Sequence, residues 1–355
     1  MNEQSMMGWL NQDIACVESL WLDRAVAHQN QLTKPPGSLG TLEEVAIRLC
    51  AMQQTLQPTL ERVAIRVFAA DHGVVSEGVS AFPQAVTVEM IRNFDAGGAA
   101  ISVLAKNLGA DFAVVNMGTA SEAPQGAAIV QKPVAAGTAN FCQEPAMTRQ
   151  QLQQALQAGS DIAEQLASQQ TQLFIGGEMG IGNTTSAAAL ACALLQRPAT
   201  DIVGRGTGVD DAGWQRKVDA VQRALKRHHD VVAGQDAVAI LQHLGGFEIA
   251  ALAATYLRCA QLQIPSLVDG FICTAAALLA IRINPACDQW LFFSHQSAEA
   301  GHALVLRSIE ARPLLQLNLR LGEGSGAATA LPLLRLALEL HNNMASFADA
   351  GVSQS

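Results

Sequence analysis

The sequence predicts an α/β protein: a mostly parallel sheet flanked by helices, with a smaller helical lobe formed by the two ends of the chain. Three observations carry this reading. Short β-rich runs alternate with longer Ala/Leu/Gln segments, the pattern of strands joined by helical crossovers. Most of the short runs end at something polar or glycine-rich. Of the 355 residues, 50% are hydrophobic but only 5% aromatic, and 29 are glycine, a composition that suits close-packed helices and tight turns better than disorder or an all-β design.

In chain order, residues 12–55 read as mainly helical, with no strong strand signal. The predicted strands are Val63–Ala69, Phe112–Met117, Gln172–Gly176, Pro265–Asp269 and Gln289–Ser294. They run into Asp71-His72-Gly73, Gly118-Thr119, Gly177-Glu178, Asp269-Gly270 and His295-Gln296-Ser297 respectively. Ligands of open α/β sheets bind beyond the carboxyl ends of the strands, so chemistry is expected at these tips. Helices are predicted over Thr148–Ser168, Asp211–His228, Phe247–Ala260 and Ala298–Ser308, and residues 327–345 read as helical again. The expected division is a large α/β domain over 60–325 and a small lobe from 1–59 plus 326–355, with the last residues, from Ala348, frayed.

Composition excludes several classes of function. Lys plus Arg number 22 against 31 Asp plus Glu, a formal charge of −9, which repels polyanions and argues against nucleic acid. The longest apolar runs, such as Gly270–Ile281, fall short of the ~20 residues that cross a bilayer. The first residues lack a basic start and an apolar centre, and the seven cysteines lie singly without CxxC spacing, so the expected compartment is the cytoplasm, with reduced thiols. No HExxH or GxSxG occurs, and His228-His229-Asp230 puts its ligands side by side rather than on one helix face, so a metal site is disfavoured.

Three glycine clusters carry the chemistry. Gly176–Thr185 follows a strand and opens a helix, the geometry that presents backbone N–H groups and a helix dipole to an anion. Gly177, Gly182 and Thr184 nearly spell the NTPase loop, but Asn183 stands where lysine belongs, which favours a monophosphate over ATP and argues against a kinase. The alternative is a plain strand-to-helix turn, which would leave Glu178 without a reason. Gly204–Asp211 leads into a helix whose Arg216 or Lys217 could supply the missing cation; the alternative is a capped helix with solvated basic residues. In Leu321–Gly326, Glu323 sits between glycines that let a ligand approach closely, and partial desolvation would raise its pKa toward that of a general base. The alternative is an acid capping the next helix. Lys34–Gly40 reads as a rigid turn with Lys34 in solvent, and Asp71-His72 as either a catalytic or a structural pair.

Taken together, KPPGSLG at 34–40, ADHGVVSEGVS at 70–80, GGEMGIGNTTSAAA at 176–189, GGFE at 245–248, LVDGF at 267–271, SHQSAE at 294–299 and LGEGSGAA at 321–328 resemble the nicotinate-nucleotide:dimethylbenzimidazole phosphoribosyltransferase family over nearly the whole chain. The resemblance implies transfer of 5-phosphoribosyl from nicotinate mononucleotide to a benzimidazole nitrogen, a Rossmann-like sheet, a homodimer, and no metal or other cofactor. Residue by residue, it implies Glu323 as general base and Glu178 as supporting acid. Phosphate or nucleotide contacts fall to Gly177, Gly180, Gly182, Asn183, Thr184 and Lys217, with Asp269 and Ser297 near the nucleotide. In the base pocket the chain departs from several members, with Phe82, Met90 and Met179 where smaller or more polar side chains occur, implying a more apolar and more permissive pocket; plain core packing is the alternative. A non-catalytic nucleotide sensor on the same sheet is the rival reading, and it would need neither glutamate.

Overall fold

A computed structural model describes residues 7–206 and 208–353. Six strands, β1 (Val63–Ala70), β2 (Asp111–Gly118), β3 (Ile129–Gln131), β4 (Leu173–Met179), β5 (Ser266–Val268) and β6 (Leu291–Phe293), form one sheet in the order β3-β2-β1-β4-β5-β6. Every neighbouring pair is parallel. This is the doubly wound order in which the winding reverses between β1 and β4, opening a crevice at their carboxyl ends. β1 is buried along its whole length, as expected of a central strand covered on both faces.

The five predicted strands are present. β3 was not predicted, because three half-buried residues at a sheet edge leave no alternation to read. β6 begins only at Leu291, since Pro285–Trp290 winds into a 3-10 helix capped by Asn284. Three predicted helices hold: Arg149–Ser168, with a Thr148/Gln151 capping box, Asp211–Arg227, capped by Asp210, and Phe247–Gln261. The fourth starts late, at His302 rather than Ala298. Residues before it are drawn into another network, the Ala298 N–H donating to the Leu319 carbonyl (2.9 Å) and the Gln296 N–H to that of Leu315 (2.9 Å).

Helices Ser19–Gln29, Thr41–Gln53 and Ser325–Asn343 bring the two ends of the chain together. Their shared buried polar point is His341. The Gln29 amide donates to its Nδ1 (2.8 Å), which leaves Nε2–H to face Cys50 Sγ at 3.2 Å. Burial, then His28 nearby, pushes this imidazole down to about 4, so it stays neutral. Apolar residues of these helices, such as Val45, Leu49 and Leu334, join the same hydrophobic cluster as Ile65 and Phe68 of β1.

Two expectations differ from the structure. Lys34 is not in solvent: it is buried in an ion pair with Glu43 (2.9 Å), and Glu43 also accepts the N–H groups of Gly37 (3.2 Å) and Leu39 (2.9 Å). The first turn of helix Thr41–Gln53 folds Glu43 back over the proline turn. Burial opposes ionisation of Glu43, but Lys34 and the two amides outweigh it and hold the carboxyl below its usual value. Of the tail expected to fray from Ala348, the first residues belong to a helical turn, Phe347–Ala350, closed by a Ser346/Asp349 capping box, while residues 351–353 are exposed and belong to no helix or strand; residues 354–355 of that expectation, and residues 1–6 of the amino-terminal reading, lie outside the described residues.

Candidate active site

The carboxyl ends of β4 and β6, the loop after β5 and the segment 320–323 enclose one cleft. It is bordered by Glu178, Met179, Thr184, Ser297, Arg320 and Glu323, among others. A larger hollow beside β6, where Arg48 stacks over Phe292 at 4.2 Å, shares no residue with it.

One wall is the glycine loop. β4 ends at Met179, and Gly180–Gly182 turn the chain into helix Asn183–Leu195. Gly182 is the N-cap at φ +97° and no side chain caps the helix, though the Asn183 and Thr185 N–H groups donate to the Gly180 (3.1 Å) and Gly182 (3.0 Å) carbonyls; the positive end of the helix dipole faces the cleft side of the loop. Lys217 comes in from behind: almost fully buried, it donates from Nζ to Thr184 Oγ1 (3.0 Å). Burial pulls it down to about 8, with Glu299 pulling the other way. The neighbouring cation points elsewhere: Arg216 turns outward and donates to the Gly78 carbonyl (3.0 Å). The Gly204–Asp211 cluster lies alongside, with Gly206 against Lys217; Thr207 is outside the described residues.

The opposite wall carries Glu323. Its backbone is left-handed, φ +65°, between Gly322 and Gly324, both at +85°. A non-glycine residue held there stores strain of order 1 kcal/mol, a feature that concentrates at functional sites. The next helix, Ser325–Asn343, has Gly324 as N-cap, so Glu323 is not the capping acid. Asp269, from the end of β5, does that work instead, accepting the N–H groups of Gly324 (3.0 Å) and Ala327 (2.8 Å). Glu323 is thus free to face the cleft. It is 7% exposed, its Oε2 has no hydrogen-bond partner, and burial followed by the nearby Asp269 charge pushes it up to about 7.

Glu178 lies between the walls. Its carboxylate accepts from Asn183 Nδ2, and its other oxygen lies against Gly322. Burial first, then the charges of Asp269, Glu248 and Glu323, pushes its carboxyl well above the usual range, against the Asn183 hydrogen bond. Ser297 is fixed from below. His302 Nδ1 accepts both the Ser297 N–H (2.9 Å) and its hydroxyl (2.8 Å), while Nε2–H donates to Thr274 Oγ1 (2.9 Å). Burial, with His295 adding to it, pushes His302 down to about 3, so the relay is neutral.

The phosphoribosyltransferase family model matches residues 14–352. A nicotinate-nucleotide–dimethylbenzimidazole phosphoribosyltransferase of Pseudomonas putida KT2440 is 55% identical over 345 residues, 97% of this chain and 98% of that protein. The chain belongs to this phosphoribosyltransferase family. A similarly named enzyme of Xanthomonas oryzae pv. oryzae is 54% identical over 98% of this chain and 99% of its own. The crystal structure of a nicotinate-nucleotide–dimethylbenzimidazole phosphoribosyltransferase from Thermus thermophilus superposes with a TM-score of 0.90 at 44% identity, covering 95% of this chain and all of that one.

In this member of the family the residues singled out in sequence divide into three groups. Glu178, Met179, Gly180, Asn183, Thr184, Ser297 and Glu323 border the cleft, and Lys217 reaches it through Thr184. Gly177, Gly182 and Asp269 shape it without bordering it. A side chain at Gly177 would strike the Glu323 carbonyl at 2.4 Å, so that glycine lets the two walls approach closely. Phe82 and Met90 stand apart: Phe82 is exposed before helix Ala85–Asp95, Met90 is half-buried on it, and neither borders the cleft. That helix touches the loop through Thr87, whose hydroxyl accepts the Ile181 N–H (3.1 Å).

The Asp71-His72 pair dissolves. His72 bonds Glu248 instead (2.6 Å), deep in the core, and Asp71 accepts the Ala120 N–H (2.8 Å). His295, Glu299, Arg320 and Phe271 also border the cleft and were not singled out. The first two lie inside the SHQSAE motif and Phe271 inside LVDGF, so a signal existed for three of them; Arg320 had none.

Proposed function

We infer that the chain transfers the 5-phosphoribosyl group of nicotinate mononucleotide to a benzimidazole-type base, giving an α-riboside 5′-phosphate and nicotinate. The observation that carries this reading is Glu323: a buried carboxyl with an unpartnered oxygen, pushed up to about 7, facing the same cleft as the glycine loop, with Lys217 behind that loop on Thr184. Leaving a buried polar atom unpaired is costly, so a partner is expected from a ligand. A nucleotide sensor would have no use for it.

The chemistry follows from the substrate. The ring nitrogen that leaves is already a pyridinium, so the bond from C1′ to nicotinate breaks without a general acid, unlike an ordinary glycoside. One acceptor nitrogen forms the new bond to C1′ from the opposite face, inverting the centre, while the other ring nitrogen gives its proton to Glu323. Burial and the neighbouring acids work against the charged form of Glu178, which suits positioning of Glu323 and the 320–323 segment better than charge stabilisation of an oxocarbenium-like centre. Lys217, Thr184 and the amino end of helix Asn183–Leu195 take the phosphate. Incubation with nicotinate mononucleotide and 5,6-dimethylbenzimidazole tests the reading: free nicotinate appears only when the base is present.

The pH dependence has a definite sign. Glu323 must be deprotonated and Lys217 protonated, so kcat/KM rises as pH climbs through about 7 and falls as it passes about 8, a narrow bell. A flat profile between pH 6 and 9 contradicts both assignments. The apolar, adaptable Met179 at the cleft supports broad acceptor choice, with unsubstituted benzimidazole turned over within about tenfold of the dimethyl form by this account. Strict dimethylbenzimidazole preference in a competition assay argues the other way.

Among the described residues no helix is long and apolar enough to cross a membrane. We place the protein in the cytoplasm, where its free cysteines, five of them buried, remain thiols. We also infer a homodimer from the family resemblance; Leu321, exposed on the segment that borders the cleft, and Leu317, exposed just before it, offer apolar surface for a second copy.

A further inference from the structure

The mononucleotide of the proposed reaction has two anionic groups, a ribose phosphate and a carboxylate on the pyridine ring. The cleft that must receive both is acidic, because Glu299 and the proposed base Glu323 border it. At close range in a partly desolvated site, like charges repel by several kcal/mol unless a cation faces the arriving group. Lys217 supplies one, but it is committed to the glycine-loop side, its ammonium held against Thr184. Arg320 borders the cleft directly. Its side chain is exposed and its guanidinium makes no ion pair or hydrogen bond with the other described residues, while the carbonyl of the preceding Leu319 is anchored by the Ala298 N–H (2.9 Å). An unspent guanidinium on a tethered backbone, three residues before Glu323, is a planar fork matched to a carboxylate.

We propose that Arg320 is the specificity-determining residue for the leaving group: its guanidinium receives the pyridine carboxylate as a bidentate partner, so that the site selects nicotinate mononucleotide over nicotinamide mononucleotide. The inference rests on the phosphoribosyl-transfer reading above and adds to it the group that distinguishes an acid from its amide. The phosphate stays with Lys217 and the helix terminus. Only the carboxylate, absent from the amide, answers to Arg320.

The test is kcat/KM for the two mononucleotides, each with dimethylbenzimidazole, in the wild type and in Arg320→Gln. The wild type prefers the nicotinate form at least tenfold. In Arg320→Gln the nicotinate value falls about 30-fold, equivalent to ~2 kcal/mol at 1.4 kcal/mol per decade, while the nicotinamide value changes less than threefold and so serves as the control for folding. An equal fall with both nucleotides assigns Arg320 to phosphate or ribose and overturns the proposal, as does an unchanged preference in the variant or no preference in the wild type. Failure of the parent reading looks different: the wild type then turns over neither nucleotide.

Discussion

Glu323→Gln lowers turnover by roughly 10²–10⁴-fold, the range a positioned general base supplies, while nicotinate mononucleotide still binds. The substitution keeps the shape and a hydrogen-bonding head, and removes only the ability to take a proton near neutral pH. Glu323 is suited to that task because burial and Asp269 push it up to about 7, where deprotonation is cheap and basicity is retained. The variant should therefore separate chemistry from binding. Single-turnover nicotinate release reads the first, and calorimetric titration with the mononucleotide reads the second. The acid limb of the pH profile should vanish with it. Wild-type turnover in this variant removes the proposed base.

Lys217→Met acts on the other wall. Loss of one charge-assisted contact to phosphate raises KM for the mononucleotide by roughly 10–150-fold, from ~1.5–3 kcal/mol for a hydrogen bond to a charged group, and leaves KM for the acceptor base nearly unchanged. Stability moves the opposite way. Burial lowers the lysine to about 8 in the folded protein, below its unfolded value, so the folded state disfavours the charged form. At pH 7 the buried ammonium is a burden that an apolar side chain of similar length lacks. Thermal unfolding at pH 7 should show a midpoint held or raised, together with the KM defect. A lower midpoint, with both KM values disturbed, makes Lys217 a structural residue and returns the phosphate to the glycine loop alone.

Much of the fold is legible in the sequence. Central parallel strands are buried on both faces and read as nearly continuous apolar runs, as Val63–Ala70 does apart from Arg66, which pairs with Asp111. What escaped was short or marginal: β3 has three residues, and the early start expected for helix His302–Ser308 fails because Ala298 is hydrogen-bonded to Leu319. Lys34 was misjudged for a related reason. Its partner Glu43 lies nine positions on, and only the helix turn between them brings the two charges together.

For the site, composition and spacing disclosed the parts: glycine loops at strand ends, acids within them, and a pair of candidate cations. Motif order across the chain disclosed the family. Tertiary structure decided what each part is free to do. Asp269 relieves Glu323 of capping a helix, Lys217 rather than Arg216 turns inward, Gly177 lets the two walls meet closely, and Arg320 borders the cleft with no motif to announce it. The physical reason is the range of the interactions. Periodicity and turn chemistry act between residues a few positions apart and so are written along the chain, whereas desolvation, charge coupling and the commitment of a hydrogen-bonding group depend on neighbours that only the folded sheet brings within reach.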